Sequence, residues 1–209
     1  IPAEGLSTRT CALAEPMSVG FHAVSRAEVT DIDTVMVIGC GMVGLGAVVR
    51  SALRGATVIA ADIDDDKLAL ARELGAAYAI NTLKEDVHER LEEITCGMAP
   101  DVIIEAVGSP ATYQMAVNEA AFTGRVICIG YAKSEVSFHT KHFVQKELDI
   151  RGSRNAHPSD FRAVIQYLQR NTCPADKLIS METAPEDAEA AMQNWAENPG
   201  RVFRILVKF

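Results

Sequence analysis

Short apolar runs alternate along this chain with longer segments whose apolar positions recur at helical spacing. The first strong run, Thr34-Val-Met-Val-Ile-Gly39, is β-branched and free of charge, as a strand buried on both faces must be. Further strands are predicted at Thr57–Asp62, Tyr78–Ile80, Asp101–Glu105, Arg125–Ile129 and Leu148–Arg151. Between them, helical spacing covers Met42–Leu53, Asp65–Leu74, Lys84–Thr95 and Ala111–Ala121; the first two stop at Gly55 and Gly75, the residue type that best accepts a left-handed cap. Strand–helix alternation with short connections predicts an α/β fold, a doubly wound parallel sheet in the order 3-2-1-4-5-6. The tail reads as helices near Phe161–Arg170 and Pro185–Glu197 and a strand at Val202–Val207. The opening twenty residues stand outside the alternation.

The joint between the first strand and helix is chemically specific. Gly39-Cys-Gly41-Met-Val-Gly44 fits G-x-G-x-x-G directly after a strand and at the start of a helix, the fingerprint of a Rossmann nucleotide-binding turn. Gly39 permits the tight turn, Gly41 lets backbone approach a pyrophosphate, and Gly44 lets helix pack on sheet. The free amides of the helix opening at Met42 and Val43 then face phosphate. Asp62 lies 18 positions beyond Gly44, near the ~20 expected of an acid that accepts both adenosine ribose hydroxyls. At ~4 Å, like charges in a partly solvated site cost on the order of 4 kcal/mol, so a 2′-phosphate is disfavoured beside Asp62 and NAD is the expected cofactor. Asp64, Asp65 and Asp66 read as the acidic start of a helix. Small residues after later strands, Ala106-Val107-Gly108 and Ile129-Gly130-Tyr131, lie where ligands of open α/β sheets bind and offer backbone to the cofactor's far ribose and nicotinamide.

Composition narrows the class further. The formal charge of −8 argues against a nucleic-acid partner, and no apolar run is long enough for a membrane-spanning helix. Five cysteines without C-x-x-C spacing read as structural thiols in a reducing compartment, expected to be the cytoplasm. His139 and His142 lack a completing ligand set and read as surface residues, His22 as packed, and His157 as a turn residue. Glu15 is an acid in an otherwise apolar stretch, which demands a partner or a metal if buried. Arg154, in Arg151-Gly-Ser153-Arg154-Asn155, puts a cation beside the ligand edge of the sheet and is the second candidate catalytic residue.

Taken together, Ala14-Glu15-Pro16-Met-Ser-Val-Gly20, the glycine turn, Ala61-Asp62 with Lys67-Leu-Ala, and Glu147-Leu-Asp-Ile-Arg151-Gly152 resemble the zinc-type medium-chain alcohol and polyol dehydrogenases. The resemblance is strongest to their sorbitol, threonine and sugar-acid branch. It implies NAD-dependent oxidation of a secondary alcohol of a polyol or sugar acid to a ketone, with a zinc ion polarising the alcohol oxygen. Glu15 matches the carboxylate near that zinc, as ligand or through water. Val43 and Lys67 match positions beside the pyrophosphate and the ribose, and Ser153-Arg154-Asn155 the segment over nicotinamide and substrate. Assembly as a homodimer or homotetramer is implied as well.

The family's amino-terminal catalytic domain, with its Cys and His-Glu zinc ligands, has no counterpart here, and the chain opens at Ile1. Residues 1–19 are therefore expected to be the end of a catalytic-domain segment, 20–155 the dinucleotide-binding domain, and 156–209 the return toward the absent part. Such a chain is expected to bind NAD and turn over nothing. A stand-alone NAD-binding regulatory module is the alternative.

Overall fold

The computed structural model describes residues 3–170, 172–198 and 202–209. Helices α1 (Thr8–Cys11) and α2 (Ala14–Arg26) come first. The alternation follows: β1 (Thr34–Ile38), α3 (Met42–Leu53), β2 (Thr57–Asp62), α4 (Asp65–Glu73), β3 (Tyr78–Asn81), α5 (Val87–Thr95), β4 (Val102–Glu105), α6 (Pro110–Glu119) and β5 (Arg125–Cys128). A short α7 (Lys141–Gln145) leads into β6 (Asp149–Gly152) and α8 (Pro158–Leu168). The tail holds α9 (Ala175–Leu178), β7 (Met181–Thr183), α10 (Ala188–Glu197) and β8 (Ile205–Val207).

Six strands pair in parallel in the order β3-β2-β1-β4-β5-β6, as the alternation predicts. Successive side chains of a strand point to opposite faces, and here both faces are covered. Val35, Val37, Val58, Ala60, Val102 and Ile104 join one core with α2, α3, α4 and α8. Met36, Ile38, Ile59, Ala61 and Ile103 join the other with Leu91 of α5 and Ala116 of α6. Burying a side chain such as Ile103 or Ile104 completely contributes about 1.5–3 kcal/mol, which is why these strands read as unbroken apolar runs.

Several local outcomes differ from the sequence reading. The opening residues are not detached: α2 runs unbroken from Ala14 to Arg26, so the boundary expected between residues 19 and 20 falls inside it. Its Met17 and Phe21 are fully buried. At the crossing with α3 a Cβ on Gly20 would sit 2.2 Å from the Val43 carbonyl oxygen, and one on Gly46 2.7 Å from that of Met17, so the two backbones touch. Helix α8 starts three residues early, at Pro158, because Asp160 Oδ2 accepts the His157 amide at 2.9 Å and closes its first turn. Of the expected terminal strand only Ile205–Val207 forms, paired in parallel with β7 in a two-stranded sheet. Residue 201 and residues 199–200 before it lie outside the described chain. Among the described residues, no helix is long and apolar enough to cross a membrane.

Candidate functional site

The β1–α3 joint has the geometry its three glycines require. Gly39 adopts φ 93°, a left-handed conformation costly for any other residue. A Cβ on Gly44 would lie 1.8 Å from the Gly39 carbonyl oxygen, so only glycine lets α3 descend this close to the strand. Gly41 is different: a Cβ there would meet nothing within 4 Å, which leaves its exposed backbone edge open to a ligand. The first amides of α3, at Met42 and Val43, have no carbonyl four residues back within the helix.

Asp62, at the end of β2, organises this joint. Its Oδ2 accepts the Cys40 amide at 2.6 Å, and its Oδ1 accepts the amides of Ile63 at 2.8 Å and Asp64 at 3.1 Å. Burial, reinforced by the Asp62 charge, pushes the Cys40 thiol far up, so it is an inert core group within the fingerprint. Asp64 caps α4, accepting the amides of Asp66 at 2.9 Å and Lys67 at 3.2 Å, which bears out the reading of the acidic run as a helix start.

A cleft of about 410 Å³ opens where the strand order reverses, at the carboxyl ends of β1, β2 and β4. Of the residues singled out in the sequence, Gly39, Gly41, Asp62, Lys67, Ala106 and Val107 line it. Thr82, Ser109, Thr112 and Met115 line it too and were not anticipated. The hydroxyls of Ser109 and Thr112 form the capping box of α6, a signal present in Ser109-Pro-Ala-Thr112. Gly108 and Gly130 do not line the cleft; they pack backbone on backbone behind it, with Ile129 half-buried and Tyr131 exposed beside them.

The remaining candidates lie apart. Ser153 is buried at the end of β6, its amide bonded to the Cys128 carbonyl at 2.9 Å, while Arg154 and Asn155 are exposed. Arg154 has no ion-pair partner among the described residues. Glu15 overturns the premise of a buried acid: its side chain is 67% exposed, in the first turn of α2, where a carboxylate is favoured by the helix dipole. Its partner is Arg204, at 3.6 Å, a residue for which the sequence offered no signal. Among the described residues, no three His, Cys, Asp or Glu side chains cluster to hold a metal ion. His22 is packed as expected, its Nδ1 2.9 Å from Oδ2 of buried Asp160.

Fold and turn together define a doubly wound α/β domain with a glycine-rich joint at its switch point, a class that takes nucleotides in this crevice. A family model, that of the zinc-binding dehydrogenases, matches residues 43–170, and the chain belongs to this family. The sorbitol dehydrogenase of Halalkalibacterium halodurans is 29% identical over 206 residues, 97% of this chain and 60% of that protein. The L-galactonate-5-dehydrogenase of Escherichia coli K12 is 31% identical over 180 residues, covering 86% of this chain and 53% of that protein. Among solved structures, a short chain alcohol dehydrogenase of Escherichia coli CFT073, complexed with the cofactor NADH, superposes with a TM-score of 0.89 at 27% identity. The superposition covers 100% of this chain and 61% of that one. This chain thus spans little more than half the length of the relatives it matches.

Proposed function

We propose that the cleft binds NAD and that the chain is the cofactor-holding part of an enzyme oxidising a secondary alcohol of a polyol or sugar acid to a ketone. The observation that carries this is the convergence, in one cleft, of an open Gly41 edge and the Asp62 carboxylate. Gly41, Met42 and Val43 offer their amides to the pyrophosphate, Gly39 and Gly44 shape the turn that brings them there, and Asp62 and Lys67 take the adenosine ribose. Ala106 and Val107 form the wall toward the nicotinamide, and Gly108, Ile129, Gly130 and Tyr131 back it from behind. Ser153, Arg154 and Asn155 reach toward nicotinamide and substrate, Arg154 supplying the cation that suits a polyhydroxy acid. NAD, when bound, supplies the hydride acceptor. The printed names of the relatives support the substrate class.

Zinc is implied by the family, and Glu15 is the candidate ligand that the sequence singled out. As found, that carboxylate is solvent-exposed and directed to Arg204, and no set of three donors surrounds it among the described residues. The residues described do not fit a zinc ion by themselves, and no step of the chemistry is assigned to one. The reading extends to a homodimer or homotetramer, supported by the exposed edge strand β6, and to the cytoplasm, supported by the five unpaired cysteines.

The test is calorimetry and NADH fluorescence on the purified, folded protein, expecting saturable NAD(H) binding and weaker NADP(H) binding. Absence of any heat with NAD(H) would overturn the reading.

A further inference from the structure

The acid that closes β4 lies behind the cleft wall, not in it. Glu105 is fully buried, and its Oε1 accepts the amides of Val107 at 2.9 Å and Gly108 at 2.8 Å and the Thr112 hydroxyl at 2.8 Å. Its main-chain carbonyl accepts the amides of Ile129 at 2.9 Å and Gly130 at 3.2 Å. One residue therefore satisfies backbone donors from both turns that follow β4 and β5. Gly108 makes the first set possible: at φ 83° its amide and that of Val107 converge on one oxygen, a small anion nest. The two turns touch directly, since a Cβ on Gly130 would lie 2.2 Å from the Gly108 nitrogen. From α6, the Tyr113 hydroxyl donates to the Gly130 carbonyl at 2.6 Å and completes the lock.

The neighbours of Glu105 keep their protons at neutral pH. Burial pushes the Tyr113 hydroxyl up to about 12 and the Cys128 thiol up to about 11, with the Glu105 charge adding to both. Oε2 of Glu105 is buried without a partner among the described residues. A buried carboxyl with a bare oxygen costs stability, and an apolar side chain of equal volume would avoid that cost. It would also orphan the Val107 and Gly108 amides, while the Thr112 hydroxyl keeps the Ser109 carbonyl at 3.0 Å. The feature that only a long side chain with an acceptor supplies is the fixed position of those amides.

We infer that Glu105 is a positioning residue for the cofactor: through Oε1 and its carbonyl it holds the two strand-end turns in the shape that the nicotinamide half of a dinucleotide lies against. The inference rests on the NAD reading above. It predicts that the acceptor, and not the charge, is what matters, because the bonds run to neutral donors through one oxygen while the other is unused.

Three substitutions in the protein separate these roles. Glu105→Gln keeps Oε1 and replaces the unpartnered oxygen; Glu105→Asp keeps the charge but draws it back by one methylene; Glu105→Leu keeps the volume and removes the acceptor. NADH affinity is measured by fluorescence titration, and hydrogen exchange is followed at the amides of Val107 and Gly108. Gln is expected within about threefold of wild type, and Asp and Leu at least about tenfold weaker, with faster exchange at those two amides and unchanged exchange in β1 and β2. Wild-type affinity in folded Leu protein, or full affinity in Asp with loss in Gln, would overturn the inference. Should the Leu protein not fold, the Gln and Asp pair decides alone. Wild-type protein that binds no NADH would sink the NAD reading instead, and the exchange rates of Gln against Asp would still decide whether Glu105 holds the turns.

Discussion

The cleft at the carboxyl ends of β1, β2 and β4 and the corner at the head of α2 both hold residues singled out in the sequence, but they are built on different principles. In the cleft each group answers to a neighbour in the chain: Asp62 to the amides of Cys40, Ile63 and Asp64, Gly44 to the carbonyl of Gly39. At the corner, Glu15 is exposed, and its ion-pair partner among the described residues is Arg204, 3.6 Å away. The proposed dinucleotide site is thus built from local turns that fold with their sheet. Chemistry at Glu15 requires groups that the described residues do not bring to it.

That contrast can be broken by four measurements. The largest effect is expected at Gly44, where an alanine Cβ would overlap the Gly39 carbonyl. Gly44→Ala should cost about 3 kcal/mol or more of stability, read by urea denaturation, and a near-normal midpoint would contradict the close packing. Gly41→Val comes next, because its side chain enters free space: the midpoint should hold while NADH affinity falls about a hundredfold, or ~2.7 kcal/mol. A fall in both would mean the edge is not open.

Asp62→Ala should weaken NAD binding about tenfold and relax discrimination against NADP, measured by paired titrations, while three amides losing their acceptor lower stability by about 1–3 kcal/mol. Unchanged selectivity would detach Asp62 from the ribose. The smallest effect belongs to the other region. Glu15→Gln should leave NADH affinity within about twofold and, as one half of an exposed ion pair, change stability by no more than about 1 kcal/mol. A large loss of affinity there would erase the distinction between the two regions.

Much of the cleft was legible because its signals are local. The β-branched runs, the glycine spacing and the acid ending Thr57–Asp62 each constrain backbone within a few residues, and parallel order follows from the handedness of crossovers. Glu15 was misjudged for a definable reason. Its neighbours in sequence are apolar, but it stands in the first turn of α2, at the open head of the helix, before the packed stretch that holds Met17 and Phe21. Glu105 escaped notice because an acid at a strand end reads as the strand's solvent cap. Its burial depends on amides in its own turn and a hydroxyl on the next helix, a three-dimensional closure that no periodicity reports. Of the β7–β8 pair, β8 lies within the strand expected at Val202–Val207, but β7 was opaque, since Met181–Thr183 carries no strand signal distinct from a loop.

The bare crossing of α2 and α3 at Gly20 and Gly46 also governs how this molecule can move. With main chain resting on main chain at these two glycines, sliding one helix past the other would have to break the contact outright. The helix that follows the glycine turn and the helix that carries Glu15 at its head are thereby fixed to each other at this crossing. Displacing the head of α2 would therefore strain the start of α3 as well.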